Sequence, residues 1–257
     1  MEIIFLSLAA FTIALLTFFS GFGLGTLLTP FLLIYFPIDI AIAISGVLHL
    51  FNNVVKWMLI GSKASRKVLI EFGAPAIIAA FAGAWLLLHM GSQKPLFVYT
   101  VMERTVEVYP LKLVVALLLI LFVLAEWLPG LKNAAFHQKN LALGGVLSGF
   151  FGGFAGVQGA FRSAFLVKIG LSPQQFIATT VLISLFVDIT RIAVYSTNFS
   201  AVSASIELSS LLPLMIAAAA GSFLGNILLK KVTIDFLRHV VASLTLMVAL
   251  LLAAGVL

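Results

Sequence analysis

The chain has 257 residues, of which 62% are hydrophobic and only 9% are charged, and its mean hydropathy is +1.21. Soluble domains are about one quarter charged, so this composition excludes a protein with a water-facing globular surface. The absence of cysteine excludes disulfides, iron–sulfur clusters and thiol chemistry. The sequence therefore predicts an all-α polytopic membrane protein. Its formal net charge of +6 informs orientation in the bilayer rather than affinity for nucleic acid.

Apolar segments long enough, or nearly long enough, to cross a bilayer follow one another along the whole chain. They cover residues 3–36, 40–60, 68–90, 110–129, 140–169, 173–195, 208–229 and 234–256. Glycines break the first segment at Gly21–Gly25 and the fifth at Gly152–Gly159. Ser172, Pro173 and Gln175 predict a capping box at the start of the sixth segment. The longest polar connection is residues 91–109.

The two halves of the chain, residues 1–130 and 140–257, align as homologous transmembrane repeats of four segments each. The alignment shifts only within loops. Its pairs are Gly25 with Gly159, Thr29 with Ser163, Asn53 with Asp188, Lys56 with Arg191, Pro75 with Pro213 and Gly83 with Gly221. Each repeat thus begins with a glycine-broken segment, and paired breaks of this kind indicate a transporter binding site.

Lysines and arginines predict the topology, because they collect in the cytoplasmic loops of membrane proteins. If all eight segments span, the two sides hold seven and five basic residues. If each broken segment is re-entrant, nine lie inside and three outside. The re-entrant arrangement leaves three crossings per repeat, which inverts the second repeat and places the N-terminus in the periplasm. Eight full spans are the alternative.

The glycine breaks are candidate anion sites, because the second half of each broken segment starts near Gly25 or Gly159 with unpaired backbone N–H groups. Arg162 follows in an apolar frame, where a charge costs at least about 2.5–3.5 kcal/mol unless it faces a partner or a cavity. We predict that it binds the anion. The alternatives are snorkelling for Arg162 and close helix packing for the glycines.

The helix after each break carries polar groups on one face: His49, Asn53 and Lys56 in the first half, and Ser184, Asp188 and Arg191 in the second. Either Asp188 and Arg191 pair at i and i+3, or Arg191 binds substrate while Asp188 orients it or carries a proton. His49 is a candidate for proton coupling, with a structural hydrogen bond as the alternative. Lys56 is near the helix end and is expected to snorkel. The candidate substrate-binding set is Arg162, Arg191, Gln158, Ser163, Asn53, Thr29, Gly25 and Gly159.

Enzyme motifs are absent from the sequence: the four histidines have no H-E-x-x-H spacing, and there is no P-loop or G-x-S-x-G. We therefore expect no enzyme activity, no cofactor, no metal and no coupling to ATP.

The doubled glycine element, the eight-segment layout and the pairs Asn53/Lys56 and Asp188/Arg191 resemble the sulfite exporter TauE/SafE family, also called the TSUP family. The resemblance covers essentially the whole chain. It implies transport of a sulfur-containing anion, such as sulfite, sulfoacetate or another organosulfonate, by a multi-pass protein of the bacterial inner membrane. One departure is Ala164, which stands where the first repeat has Pro30.

The leading hypothesis is a secondary transporter with alternating access around a site between the repeats, with the lipid bilayer and protons as further partners. An anion channel of the same architecture and a non-transporting membrane scaffold are the alternatives. Only the second break carries Gln158 and Arg162, so we expect the anion nearer that half. Direction, coupling ion and homo-oligomer formation are left open.

Overall fold

The computed structural model describes residues 2–20, 24–90, 94–101, 104–127, 140–166, 169–198, 208–228 and 234–256. Within these ranges the chain is mainly helical, and the helices follow the apolar segments in order. They are α1 (Glu2–Ser20), α2 (Gly25–Leu32), α3 (Ile38–Ile60), α4 (Arg66–Met90), α5 (Pro110–Trp127), α6 (Leu141–Ala155), α7 (Gly159–Leu166), α8 (Pro173–Tyr195), α9 (Leu208–Leu228) and α10 (Ile234–Ala253).

Three helical stretches are long and apolar enough to cross a membrane: Ile40–Met58, Arg66–Met90 and Gln174–Tyr195. Shorter apolar stretches are Ile3–Thr17, Pro110–Leu121, Leu141–Ala155, Leu211–Gly225 and Ala242–Ala253. These lengths agree with the predicted polytopic helical membrane protein. The sequence did not predict the antiparallel hairpin of β1 (Phe97–Val101) and β2 (Arg104–Val108), which occupies the long polar connection.

The second glycine break separates α6 from α7. Gly156 has a φ of 74°, a left-handed conformation that ends α6, and α7 begins three residues later at Gly159. At about 1.5 Å of rise per residue, α6 is roughly 22 Å long and α7 roughly 12 Å, so neither spans the hydrocarbon core alone. In the first break, residues 21–23 lie outside the described part, and α2 begins at Gly25.

The predicted capping box at the start of α8 is confirmed. The Ser172 hydroxyl accepts a hydrogen bond from the Gln175 backbone N–H at 3.3 Å, and the Ser172 N–H donates to Gln175 Oε1 at 3.2 Å. Two orphan N–H groups at the helix start are thereby satisfied, which fixes where α8 begins.

Helices α3 and α8 lie side by side and run antiparallel. Gly46 near the start of α3 packs against Arg191 near the end of α8. At the opposite end, Lys63 Nζ, just after α3, donates to Gln174 Oε1 at 2.5 Å, and the Ser65 N–H donates to Thr179 Oγ1 at 2.8 Å. The end of α3 and the start of α8 are therefore at the same side of the molecule.

The first helix of each half packs along the third segment of the other half, α1 against α9 and α6 against α4. Glycine permits the close approach in both pairs. A Cβ atom at Gly83 of α4 would lie 2.0 Å from the carbonyl oxygen of Phe150, and one at Gly221 of α9 would lie 2.2 Å from that of Phe11. The aligned glycines of the two halves thus make the same kind of contact, backbone to backbone.

Candidate functional site

The carboxylate of Asp188 is the centre of a buried polar cluster on α8. Its Oδ2 lies 2.6 Å from Nδ1 of His49 and accepts a hydrogen bond from Asn53 Nδ2 at 2.8 Å. Its Oδ1 accepts from Arg191 Nε at 2.9 Å and from Gln158 Nε2 at 3.3 Å. One side chain thereby joins α3, α8 and the second glycine break.

The pairing of Asp188 with Arg191 is the i, i+3 contact that the sequence suggested. Nη2 of Arg191 lies 2.8 Å from Oδ1 as an ion pair, without hydrogen-bond geometry. Arg191 is fully buried and is the largest such side chain among the described residues. Its Nη1 has no hydrogen-bond partner within them, while the hydroxyl of Tyr195 lies beside its guanidinium. Arg191 therefore keeps a donor available in the cluster.

Arg162 of α7 is held inside the protein, with only 4% of its surface exposed. Its Nη1 donates to Ser184 Oγ at 2.6 Å and to Gln158 Oε1 at 3.2 Å. Its Nε has no partner in the part of the chain that the structure describes. Like Arg191, it combines a fixed position with an unused donor.

Lys56 does not snorkel as the sequence predicts, because its side chain is only 8% exposed and does not reach the surface. It lies one turn before the end of α3 at Ile60, which is where the predicted segment 40–60 ends, but packed neighbours cover it. The side chain stays on the face of α3 that carries His49 and Asn53, close enough to Arg162 for the two cations to repel each other.

The two glycine-broken elements meet beside this cluster. A Cβ atom at Gly25, the first residue of α2, would lie 2.3 Å from the carbonyl oxygen of Gly156. A Cβ atom at Gly156 would lie 2.8 Å from Arg191 Nη1 and 3.3 Å from Thr29 Oγ1. Thr29 donates to Ser45 Oγ on α3 at 2.7 Å. Only glycine at the two positions leaves room for this approach.

The other predicted residues lie at the margin of the cluster. Gly159 is buried at the start of α7, and Ser163 is half-buried one residue beyond Arg162. Ser163 takes no part in the hydrogen bonds described above. No sequence pattern predicts a role for Tyr195, whose hydroxyl donates to the carbonyl oxygen of Gly153 close to the end of α6.

Permanent positive charge exceeds negative charge in this buried region. Lys56, Arg162 and Arg191 are cations, whereas Asp188 is the only buried carboxylate among the described side chains. Removing a charge from water costs several kcal/mol unless an opposite charge compensates it. The cluster is therefore suited to an anion. The described residues contain no group of His, Asp and Glu side chains that could hold a metal ion.

The sequence profile of the sulfite exporter TauE/SafE family matches residues 6–252 of the chain. The chain belongs to the sulfite exporter TauE/SafE family. This membership confirms the resemblance to the family and makes the chain a membrane transporter of the anion-exporter type. No curated protein and no solved structure matches it.

Neutralising the central carboxylate of this TauE/SafE protein tests its role in the cluster. Asp188→Asn keeps the shape of the side chain but leaves the buried cations without their counter-charge. Loss of one partner of a buried ion pair costs about 3–5 kcal/mol, so we expect a large fall in thermal stability in nanodiscs. The control is Glu71→Gln, which removes an exposed carboxylate on α4. Equal melting temperatures of the two variants would contradict the role given to Asp188.

Proposed function

We propose that this TauE/SafE protein is a secondary transporter that moves a small sulfur-containing anion across the bacterial inner membrane. The substrate is sulfite, sulfoacetate or another organosulfonate. The observation that carries the proposal is the buried excess of cations, Lys56, Arg162 and Arg191 against Asp188 alone, where the two glycine breaks meet.

The anion binds to donors that the protein itself leaves unused. Arg162 Nε and Arg191 Nη1 are the charged ligands, since neither has a hydrogen-bond partner among the described residues. Hydrogen bonds to an ionised group are about twice as strong as neutral ones, so two guanidinium donors dominate the affinity. Gln158 and Asn53 orient the charged groups through Asp188.

Neutral donors complete the proposed site. The hydroxyls of Thr29, whose proton is donated to Ser45, and of Ser163 line the proposed site. The first backbone N–H groups of α2 and α7, at Gly25 and Gly159, provide hydrogen bonds to oxyanion oxygens. The N-terminal ends of these short helices carry partial positive charge, which favours an anion at the same place.

The proposed architecture is two inverted repeats, residues 1–130 and 140–257, with re-entrant glycine-broken segments. The antiparallel course of α3 and α8 supports it, because equivalent helices of inverted repeats run in opposite directions. The hydrogen bond of Lys63 to Gln174 supports it as well, since eight full spans would put these residues on opposite sides of the membrane. The excess of basic residues in the loops then assigns the N-terminus to the periplasm.

The proposed coupling ion is the proton, carried by the pair of His49 and Asp188. Their side chains are in contact at 2.6 Å, and the same carboxylate holds Arg191. Protonation at this pair weakens the hold of Asp188 on Arg191 and frees the guanidinium for the substrate. Substrate binding and proton binding are thereby linked at one carboxylate.

An anion channel of the same architecture is the second candidate, since a cationic site at mid-membrane also serves passive permeation. The two differ in whether both gates open at once. A non-transporting scaffold is the third, and it requires no anion at the buried cluster.

Removal of one guanidinium tests the site. Arg191→Ala should abolish or weaken sulfite and sulfoacetate binding by at least tenfold, because a charge-assisted contact is lost. Binding to purified protein is measured by calorimetry, with folding checked by size-exclusion chromatography. Arg66→Ala, which removes an exposed arginine at the start of α4, is the matched control and should bind as the unmodified protein does. Unchanged affinity in a folded Arg191→Ala protein would rule out this site.

Flux into proteoliposomes separates a transporter from a channel. A secondary transporter should show uptake that saturates with sulfite or sulfonate concentration and responds to an imposed pH gradient. His49→Gln should remove the response to the gradient while leaving exchange of anion for anion. Uptake that rises linearly with concentration and does not depend on the gradient would favour the channel. The absence of uptake would favour the scaffold.

Cysteine labelling tests the inverted topology, and the cysteine-free chain needs no background mutations. Lys94 and Ser196 are exposed, as is Ser62. With re-entrant segments, an impermeant maleimide should label Lys94→Cys and Ser196→Cys from the periplasm, and Ser62→Cys only after the membrane is opened. If all eight segments span, Lys94→Cys and Ser196→Cys will react from opposite sides.

A further inference from the structure

The side chain of Asn52 on α3 is fully buried, yet neither atom of its amide is satisfied. Its exposed surface is 0%, and Nδ2 and Oδ1 both lack a hydrogen-bond partner within the described residues. Burying an amide without hydrogen-bond partners lowers the free energy of unfolding, so such groups are rare in folded proteins. A buried amide that no described residue satisfies requires an explanation.

Helix geometry places Asn52 next to the charged cluster. On a helix with 100° per residue, it lies about 60° from His49 and about 40° from Lys56, on the same broad face of α3. Ser45, two turns earlier, lies within about 20° of it and accepts the hydrogen bond of Thr29 on α2. Asn52 is therefore on the side of α3 that faces α2.

The level of Asn52 along α3 corresponds to the start of α2. The short connection between Leu32 and Ile38, together with the contact of Thr29 with Ser45, implies that the two helices run in opposite directions. From Ser45 to Asn52 the axial distance is about 10 Å, and from Thr29 back to Gly25 it is about 6 Å. Asn52 thus lies a few ångströms beyond the N-terminal end of α2, which has no side-chain cap among the described residues.

The equivalent residue of the second half faces the second break. The alignment that pairs Asn53 with Asp188 pairs Asn52 with Val187, and a Cβ atom at Gly152 would lie 3.1 Å from Val187 Cγ1. At that break the amide is supplied by Gln158. The second half therefore has the apolar Val187 at this position and an amide within its break. The first half has Asn52 at this position and no polar side chain between Gly21 and Gly25.

Arg191 connects the second glycine break with the start of α2. Its partnerless Nη1 lies against Gly156, whose carbonyl oxygen contacts Gly25 at the start of α2. We propose that Asn52 is a further substrate-binding residue, which donates its amide N–H to an oxyanion held between the N-terminus of α2 and Arg191. This inference rests on the proposed function and extends the site into the first half.

The amide of Asn52 constrains the protonation state of the ligand, which an arginine with donors alone would not do. Nδ2 can donate to any oxyanion, whereas Oδ1 can accept only from a ligand that still carries a proton or from a water molecule bound with it. Asn52 therefore favours a hydrated or singly protonated oxyanion, such as hydrogen sulfite, over a bare dianion of the same shape.

Replacement by a residue of similar size tests the proposal. Asn52→Leu should lower the affinity for sulfite at pH 6.5 by about tenfold or more, because a hydrogen bond to an ionised ligand is lost. Its melting temperature in nanodiscs without sulfite should equal or exceed that of the unmodified protein, since an unsatisfied buried amide is removed. Asn140→Leu, at an exposed asparagine before α6, is the control and should change neither value.

Unchanged sulfite affinity in Asn52→Leu would overturn the proposal, with or without a fall in melting temperature. If Asn52→Leu does not fold, sulfite binding is measured with Asn52→Asp instead, which keeps the shape and an acceptor oxygen but adds a negative charge. Sulfite binding should then be lost, and binding at the unmodified affinity would contradict the assignment. If Arg191→Ala loses binding while Asn52→Leu keeps it, the proposed function stands without this residue. If the unmodified protein binds neither sulfite nor sulfoacetate, both proposals fail.

Discussion

The hydrogen bonds and ion pair of Asp188 hold the two halves of this protein together at their centre. The carboxylate contacts His49 and Asn53 of the first half and Gln158 and Arg191 of the second, in a place with no exposed surface. A buried carboxylate with this many donors is fully compensated, whereas Nε of Arg162 and Nη1 of Arg191 have no hydrogen-bond partner among the described residues. The protein therefore has a fixed anion that organises the site and a remaining positive charge that a mobile anion can neutralise.

Close packing of the other helices holds main-chain segments of the glycine breaks next to this cluster. Small residues let α4 and α6 pack with their backbones in contact, as the position of Gly149 against Ala76 illustrates, where an added Cβ would lie 1.9 Å from the carbonyl oxygen. Tight packing between the halves leaves the broken elements little freedom. The starts of the short helices α2 and α7 are thereby held beside the cluster, α2 through the contact of Gly25 with Gly156 and α7 through the bond of Gln158 to Asp188.

Local features of the fold could be predicted from the sequence, because their causes are local. The bilayer demands long apolar crossings, which fixed the helix positions, and the capping box at Ser172 and the pair of Asp188 with Arg191 depend on spacing within one helix. The hairpin was missed because Lys94, Pro95 and Glu103 obscured the β-branched and aromatic residues of its strands.

Features that depend on neighbouring helices could not be predicted in the same way. Lys56 is near a helix end, where lysine commonly snorkels, but packed neighbours cover it. Asn52 looks like a duplicate of Asn53 until burial and hydrogen bonding distinguish the two. Tyr195 bonds a backbone carbonyl, and such a partner leaves no pattern in the sequence.

The contact of Gly25 with the carbonyl oxygen of Gly156 has a mechanical consequence. Gly25 and Gly156 touch there through backbone atoms, and neither residue has a side chain that could slide or change rotamer. In the proposed inverted duplication, such a meeting point would lie near the pseudo-twofold axis, where a rocking motion has its shortest lever arm. A small rotation about this pivot would displace the far ends of the helices by several ångströms and leave the pivot almost still. The bound anion would then hardly move while the membrane side to which it is exposed changes.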